Sequence, residues 1–195
     1  MARPNIQQER RNQILDAFES CVARYGVEGA TLARTAKMAG LARPLVRHNV
    51  GNRDKLLEAL VDRFLEKSRS SMAAMVCALP AENRSRIAID WLFDPTYSDP
   101  QLARVSYSLI AASTENPFLA AKMQVWLSDF ISSFDEVLAE DFPDTDPAKI
   151  AAASAGITGI YFNVEALYPL RGTDALVAAS KHAAILLLES LETGR

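Results

Sequence analysis

Residues Thr31–Val50 read TLARTAKMAGLARPLVRHNV, two short helical patterns on either side of Gly40. Thr31 is a good N-cap for the first. Leu32, Thr35, Ala36 and Ala39 give it a face of mostly small residues that a neighbouring helix can approach closely. Gly40 supplies the positive φ of a sharp turn, and Leu41 plugs that turn. The second pattern starts near Arg43-Pro44, where a proline costs nothing because the first helical turn has no partner for its missing N–H. Leu45 or Val46, with Val50, can face inward, leaving Arg43, Arg47 and His48 outward. A helix of about seven residues is unstable alone, so its neighbours must hold it and its work must lie on its outer face. An arginine can bind guanine O6 and N7 bidentately or a phosphate, and His and Asn can do either more weakly. The stretch predicts a helix-turn-helix that reads DNA.

Charge is divided in the same sense. Residues 1–55 carry ten Lys and Arg against five Asp and Glu, a net of +5, while the other 140 carry eleven against nineteen, a net of −8. A basic head on an acidic body places the polyanion at the head. With 49% apolar residues among 195, the chain can bury a core and is not mainly disordered. Cys21 and Cys77 sit in apolar helical surroundings without paired spacing, so both are expected to be buried, reduced thiols rather than zinc ligands or a disulfide. The polar start MARPNIQQERRNQ is no signal peptide, and no apolar run approaching the roughly 20 residues that span a bilayer is expected. The expectation is a soluble, cytoplasmic protein.

Along the chain every segment reads as helix. Asn5, with Gln8 three residues on, can cap a first helix whose apolar face is Ile14, Leu15, Phe18, Val22 and Tyr25. Gly26 ends it, Val27–Ala30 connect, and Arg3, Arg10 and Arg11 cluster at its start. After the Gly51-Asn52 break, Asn52 or Asp54 caps a long helix carrying Leu56, Leu57, Leu60, Val61, Phe64, Leu65, Met72, Met75, Val76 and Leu79, stopped by Pro80. Further helices are expected at about Glu82–Phe93, at Pro100–Thr114 with Leu102, Val105, Leu109 and Ile110 inward, and from Pro117 to about Asp141. The last of these has Leu119, Met123, Trp126, Leu127, Phe130, Ile131, Phe134 and Leu138 as its stripe. Pro147–Leu167 and Asp174–Leu191 close the chain. The fold class is therefore all-α, about nine helices. A helix-turn-helix domain (1–55, motif 31–50) is expected on a helical ligand-binding and dimerisation domain (56–195).

The final two helices contain AAASAGITG and ALVAASKHAAILLL. Small and apolar residues on all sides imply burial nearly all round. A terminal helix exposed on no side points to a four-helix bundle made by two copies of the chain, two helices from each.

Taken together, R11-x-x-I14-L15-x-A17-F18, Y25-G26, T31, A39-G40-L41 and G51-N52-R53-D54-K55-L56-L57 resemble the DNA-binding head of the tetracycline-repressor (TetR) family over about residues 9–65. The resemblance implies a homodimeric transcriptional regulator, a repressor released by a small apolar ligand, bound to a near-palindromic operator. By position it implies that Thr31 holds a phosphate. Arg43, Pro44, Leu45, Arg47, His48 and Asn49 would lie on base edges or phosphates, and Arg53 and Lys55 would hold phosphate at the start of the fourth helix. Three residues depart from the pattern. Ala42 stands where the family usually has a hydroxyl, which removes a cap of roughly 1 kcal/mol and a phosphate contact at that edge of the DNA-binding surface. Arg47 replaces an aromatic by a longer cation, and Val50 replaces Phe and fills less of the core under the turn.

A ligand pocket of the usual kind, apolar with a few polar groups, has Trp91, Tyr107, Trp126, Phe130 and Phe162 as candidate walls and Asn163 and Glu165 as polar points. Each serves equally well as an ordinary core or interface residue. The competing reading is an all-α enzyme or metal-carrying bundle, which needs inward Glu and Glu-x-x-His pairs. His48 and His182 are the only histidines, and neither follows a Glu by three. With no GxSxG, P-loop or dinucleotide glycine motif, neither catalysis nor a cofactor or metal is expected. A third reading, a helical scaffold, leaves the cations of 43–48 without a purpose.

Overall fold

A computed structural model of the chain describes residues 6–167, 169–170 and 172–192. Among these residues there are nine helices and no strand. They are α1 Ile6–Gly29, α2 Leu32–Ala39, α3 Arg43–Val50, α4 Arg53–Ala78, α5 Arg84–Leu92, α6 Pro100–Ala112, α7 Pro117–Asp141, α8 Pro147–Leu167 and α9 Asp174–Glu192. Asn5, the expected first cap, and Arg3 lie outside the described residues. Local chemistry sets the starts. The Thr31 hydroxyl accepts from the Arg34 amide at 3.3 Å, and the Asn52 side chain accepts from the Lys55 amide at 2.9 Å. Asn116 and Asp146 cap α7 and α8 just before a proline at the first helical position. Gly40 takes the left-handed conformation (φ 65°, ψ 30°) and its N–H reaches the last carbonyls of α2.

The helices gather into two compact units. The first comprises the described residues up to Lys67 together with Gln101–Gln124. Here Ile14, Phe18, Cys21 and Val22 of α1 are buried, as are Ala36 of α2, Val46 of α3 and Leu56, Leu57, Leu60, Val61 and Phe64 of α4. Gln13 ties α1 to α2 through the Ala39 carbonyl at 2.9 Å. Burial pushes the Cys21 thiol up, opposed by a hydrogen bond with Thr35 and the Arg34 charge. A buried carboxylate, Glu19, is held from both sides, by Arg63 at 3.3 Å and by the Gln101 amide at 3.2 Å. Arg63 also pairs with Asp16.

The second unit comprises Ser68–Pro100 and the described residues from Val125 onward. Its core joins Leu79, Ala88, Ile89 and Phe93 to Phe134, Val137, Leu138 and Phe142. Ile150, Ala153 and Ile157 of α8 and Ala184, Ile185, Leu188 and Leu191 of α9 complete it. Asp141 accepts from the Ser85 amide at 2.7 Å and so anchors the start of α5, which follows Asn83 in the left-handed region (φ 56°) rather than beginning near Glu82. A Cβ on Gly156 would lie 2.8 Å from a Leu187 methyl, which measures how closely α8 and α9 approach.

Several expectations need correction. Helical structure does not stop at Gly26. The chain breaks there (φ 71°, ψ 172°) and resumes to Gly29 instead of forming an open connector. Tyr25 is 43% exposed rather than part of the α1 stripe, and the guanidinium groups of Arg24 and Arg34 lie over its ring. Ile110 and Leu127 also face outward, each displaced from the buried side of its helix by better-placed neighbours (Leu109; Met123 and Trp126). Cys77 is exposed, whereas Cys21 is buried; both are free thiols. α8 is long and apolar enough, at 21 residues and a mean hydropathy of 1.3, to cross a membrane by length and composition alone. The sequence reading missed this because the apolar Ala, Ile, Tyr, Phe and Val residues of α8 are interrupted by Gly, Ser and Thr and form no unbroken run. Here one side of α8 is packed, with Ile150, Ala153, Ser154, Ile157 and Thr158 buried. Nor is burial complete round α8 and α9 in the single chain, since Ala152, Ala155, Gly159, His182 and Leu186 all face solvent.

The Glu19 arrangement yields a stability prediction. Arg63→Met leaves a buried carboxylate short of its cation, and is expected to cost about 2 kcal/mol, less than a fully buried pair because Arg63 is partly exposed. Adding Glu19→Gln should recover much of the loss, as read by urea denaturation of the single and double variants.

Candidate nucleic-acid interface

α3 is eight residues long, and one side chain anchors it. Val46 is 0% exposed, while Arg43, Pro44, Leu45, Arg47 and His48 are all exposed. The choice left open between Leu45 and Val46 is settled for Val46, and Leu45 (40% exposed) points outward. At 100° per residue, Pro44 and His48 stand farthest round from the Val46–Val50 side, flanked by Leu45 and Arg47. Arg43 is exposed because it opens the helix. Asn49 is half-buried, and its amide donates to the Leu45 carbonyl at 2.8 Å.

The missing hydroxyl at Ala42 has a local compensation. Ala42 provides no side-chain cap, but Pro44 has no N–H to satisfy, and the Leu45 and Val46 amides reach the Ala42 carbonyl at 2.9 and 3.2 Å. Few donors at this helix start are left for a cap. Val50 is half-buried beside a cleft of about 360 Å³ lined also by Leu15, Leu56, Ala59, Gln8, Asn12, Arg11 and Lys55. That cleft is the space a larger residue at 50 would enter.

Along the sequence, the motif itself carries charge of one sign. From Gly29 to Arg53 the chain contains Arg34, Lys37, Arg43, Arg47 and Arg53 and no Asp or Glu. Thr31 is exposed, but its hydroxyl already caps α2. Lys55 is exposed at the start of α4. Arg53 is engaged within the protein. Its Nε donates to the Ala30 carbonyl at 3.2 Å and its Nη2 to the Val27 carbonyl, with Glu28 3.7 Å away. The guanidinium therefore closes the C-terminal end of α1, a use that sequence reasoning did not foresee. Sequence reasoning also passed over Arg34 and Lys37 on α2, both exposed; their position on the first motif helix was the available signal.

The predicted ligand residues do not form one group. Trp126, Phe130 and Phe162 do come together, with ring centroids 5.0–6.4 Å apart, and Tyr161 stacks on Phe130 at 5.8 Å. The Trp126 indole N–H donates to Ser68 Oγ at 2.7 Å. Trp91 instead stacks on Tyr97 at 5.4 Å, Asn163 is exposed, and Tyr107 belongs to the first unit. Glu165 is the polar residue set into the second unit. Burial pushes its carboxyl up, a hydrogen bond from the Ser98 hydroxyl (3.2 Å) opposes this, and the Asp99 charge adds to it. Among the described residues no three His, Cys, Asp or Glu side chains are grouped as a metal site.

No family model matches the chain. The HTH-type transcriptional regulator BetI of Escherichia coli O17:K52:H18 (strain UMN026 / ExPEC) is 28% identical over 145 residues, 71% of this chain and 74% of that protein. A TetR transcription regulator from Haloarcula marismortui ATCC 43049 superposes with a TM-score of 0.74 at 15% identity, covering 94% of this chain and 98% of that one. The fatty acid degradation regulator FadR from Bacillus halodurans does so with a TM-score of 0.62 at 25% identity, covering 96% of each. The chain thus has the fold of the TetR-family transcriptional regulators and is similar in sequence to the transcriptional regulator BetI.

Proposed function

We propose that the chain is a homodimeric, sequence-specific DNA-binding regulator acting in the cytoplasm, a repressor released by a small apolar ligand, and not an enzyme. The observation that carries this reading is the exposed, acid-free face of α3, fixed by the buried Val46. Residues 1–55 read DNA, with Arg43, Pro44, Leu45, Arg47, His48 and Asn49 on the bases and neighbouring phosphates. Thr31, Ala42 and Lys55 lie at the backbone, and Arg53 serves there chiefly by bracing the end of α1. Residues 56–195 pair the copies and hold the ligand.

For pairing, α8 offers the exposed line Ala152, Ala155, Gly159 and Ala166, and α9 offers Ala175, Ala179, His182 and Leu186. Their spacings, three, four and seven residues on α8 and four, three and four on α9, keep each line on one side of its helix. Leu186 is 52% exposed, and a Cβ at Gly159 would meet nothing within 4 Å. A two-fold axis would bring two such surfaces together as a four-helix bundle. The aromatic group of Trp126, Phe130 and Phe162 is the ligand wall this reading favours, with Glu165 as its polar point, ahead of Trp91, Tyr107 and Asn163.

Binding to a near-palindrome from around the regulator's own gene should weaken steeply with salt, since phosphate contacts dominate affinity. Arg43→Ala/Arg47→Ala is expected to lower affinity about a hundredfold or more with helical content and dimer mass unchanged. Retained binding in a mobility-shift assay would sink the assignment. Leu186→Glu introduces a charge twice at a two-fold interface and should give a monomer by sedimentation; a stable dimer would place the interface elsewhere.

Glu165 gives a pH prediction. Its folded pKa is raised, so the folded state holds more protons than the unfolded one between the ordinary carboxylate value and the raised one. Its contribution therefore destabilises the fold as pH rises through that window. Glu165→Gln should raise the melting temperature at neutral pH, with the difference from wild type disappearing towards pH 4. An equal gain at both pH values would mean that the carboxyl does not titrate across that window.

A further inference from the structure

We infer that Arg24 and Arg34, stacked on Tyr25, form a preordered clamp for the DNA phosphate backbone beside the bases that α3 reads. This rests on the DNA-binding assignment above and extends the contact from Arg34 of the helix-turn-helix to Arg24 and Tyr25 of α1, which precede that stretch. Tyr25 is a large ring left 43% exposed where α1 breaks. The Arg34 guanidinium carbon lies 4.9 Å from the ring centroid and that of Arg24 5.3 Å. Arg34 is fixed further by an N–H donated to the Gly29 carbonyl at 2.7 Å. Its backbone is pinned in the same turn by the Thr31 hydroxyl.

A guanidinium has five N–H donors, and stacking on a ring face uses none of them. Arg34 directs one to Gly29 and keeps others at its edges for an anion. An arginine ordered only on binding loses rotamer freedom at that moment, whereas one already held against a ring does not. The location suits the role. In helix-turn-helix complexes the first helix of the motif crosses the phosphate backbone while the second enters the groove, and Arg34 sits in the first turn of α2. The only carboxylate between Arg24 and Arg53 is Glu28, which is turned to Arg53 at 3.7 Å. Two cations on one exposed ring, with little opposing charge, match a backbone phosphate rather than a base.

The test uses the full-length protein and a duplex enriched by wild type from a random-sequence pool. Arg24→Ala/Arg34→Ala should weaken binding at least tenfold and reduce the slope of log affinity against log salt by about two per protomer. Base preference should not change, because phosphates carry no sequence. Tyr25→Phe, which keeps the ring, should bind as wild type, and Tyr25→Leu, which keeps both charges but removes the platform, should bind several-fold more weakly. Since Arg34 also closes α1, Arg24→Gln alone guards against a folding defect and should still lower the slope by about one. Wild-type affinity and slope in the folded, dimeric arginine variants would overturn the clamp, as would a changed base preference. Wild-type affinity in Tyr25→Leu would overturn its preordering. A wild type that enriches no duplex would instead defeat the DNA-binding assignment and the clamp with it, whereas loss in Arg43→Ala/Arg47→Ala without loss in the Arg24 and Arg34 variants defeats only the clamp.

Discussion

An eight-residue helix has too few internal hydrogen bonds to hold itself together in water, so α3 exists only because Val46 is buried against its neighbours. This constraint organises the head. Phe18 and Val22 of α1 and Ala36 of α2 belong to the same buried set, and the left-handed Gly40 turns the chain sharply enough for α3 to reach it. With one inward anchor, all the longer polar and cationic side chains of α3 are left outside. A surface for a polyanion thus follows from packing and needs no separate scaffold.

The same head economises on polar groups. The Ala42 carbonyl accepts two amides, the Thr31 hydroxyl caps α2, and Arg53 closes α1 through backbone carbonyls. Three of the residues that a family resemblance assigns to DNA are therefore also structural. Each has a local partner before any phosphate arrives. Substituting them would mix a folding effect with a binding effect, which is why Arg43 and Arg47, exposed and away from these bonds, are the more informative probes.

The element order was legible in the sequence because prolines and caps punctuate it. Asn116-Pro117 and Asp146-Pro147 start α7 and α8 where expected, and Thr31 and Gly40 bound α2. Helical period was less informative about the direction of single residues. In a helix of two turns, Leu45 and Val46 fit an inward stripe equally well, and only packing chose Val46. In long helices the apolar stripe drifts, so Leu127 and Ile110 read as core and emerge exposed. Partnerships between residues far apart in sequence left no pattern to read. Arg53 with Val27 and Ala30, Glu19 with Arg63 and Gln101, and Arg34 over Tyr25 all depend on which helices meet. Spatial grouping was equally hidden, since nothing in the sequence says that Trp126, Phe130 and Phe162 meet while Trp91 stacks on Tyr97 and Asn163 is exposed.

Two of the departures from the pattern this head resembles lie at the ends of α3. Ala42 offers no hydroxyl cap, but Pro44 has no N–H to be capped, so little is lost there. Val50 leaves a cleft beside Leu15 and Leu56, with Arg11 and Lys55 among its lining residues, and no comparable compensation. The cleft lies under the C-terminal end of α3, where Asn49 and Val50 are half-buried while Arg47 and His48 stand exposed. A larger apolar side chain at 50 would bury more surface against Leu15 and Leu56 and so hold α3 more firmly on α1 and α4, without touching the cations on its outer face.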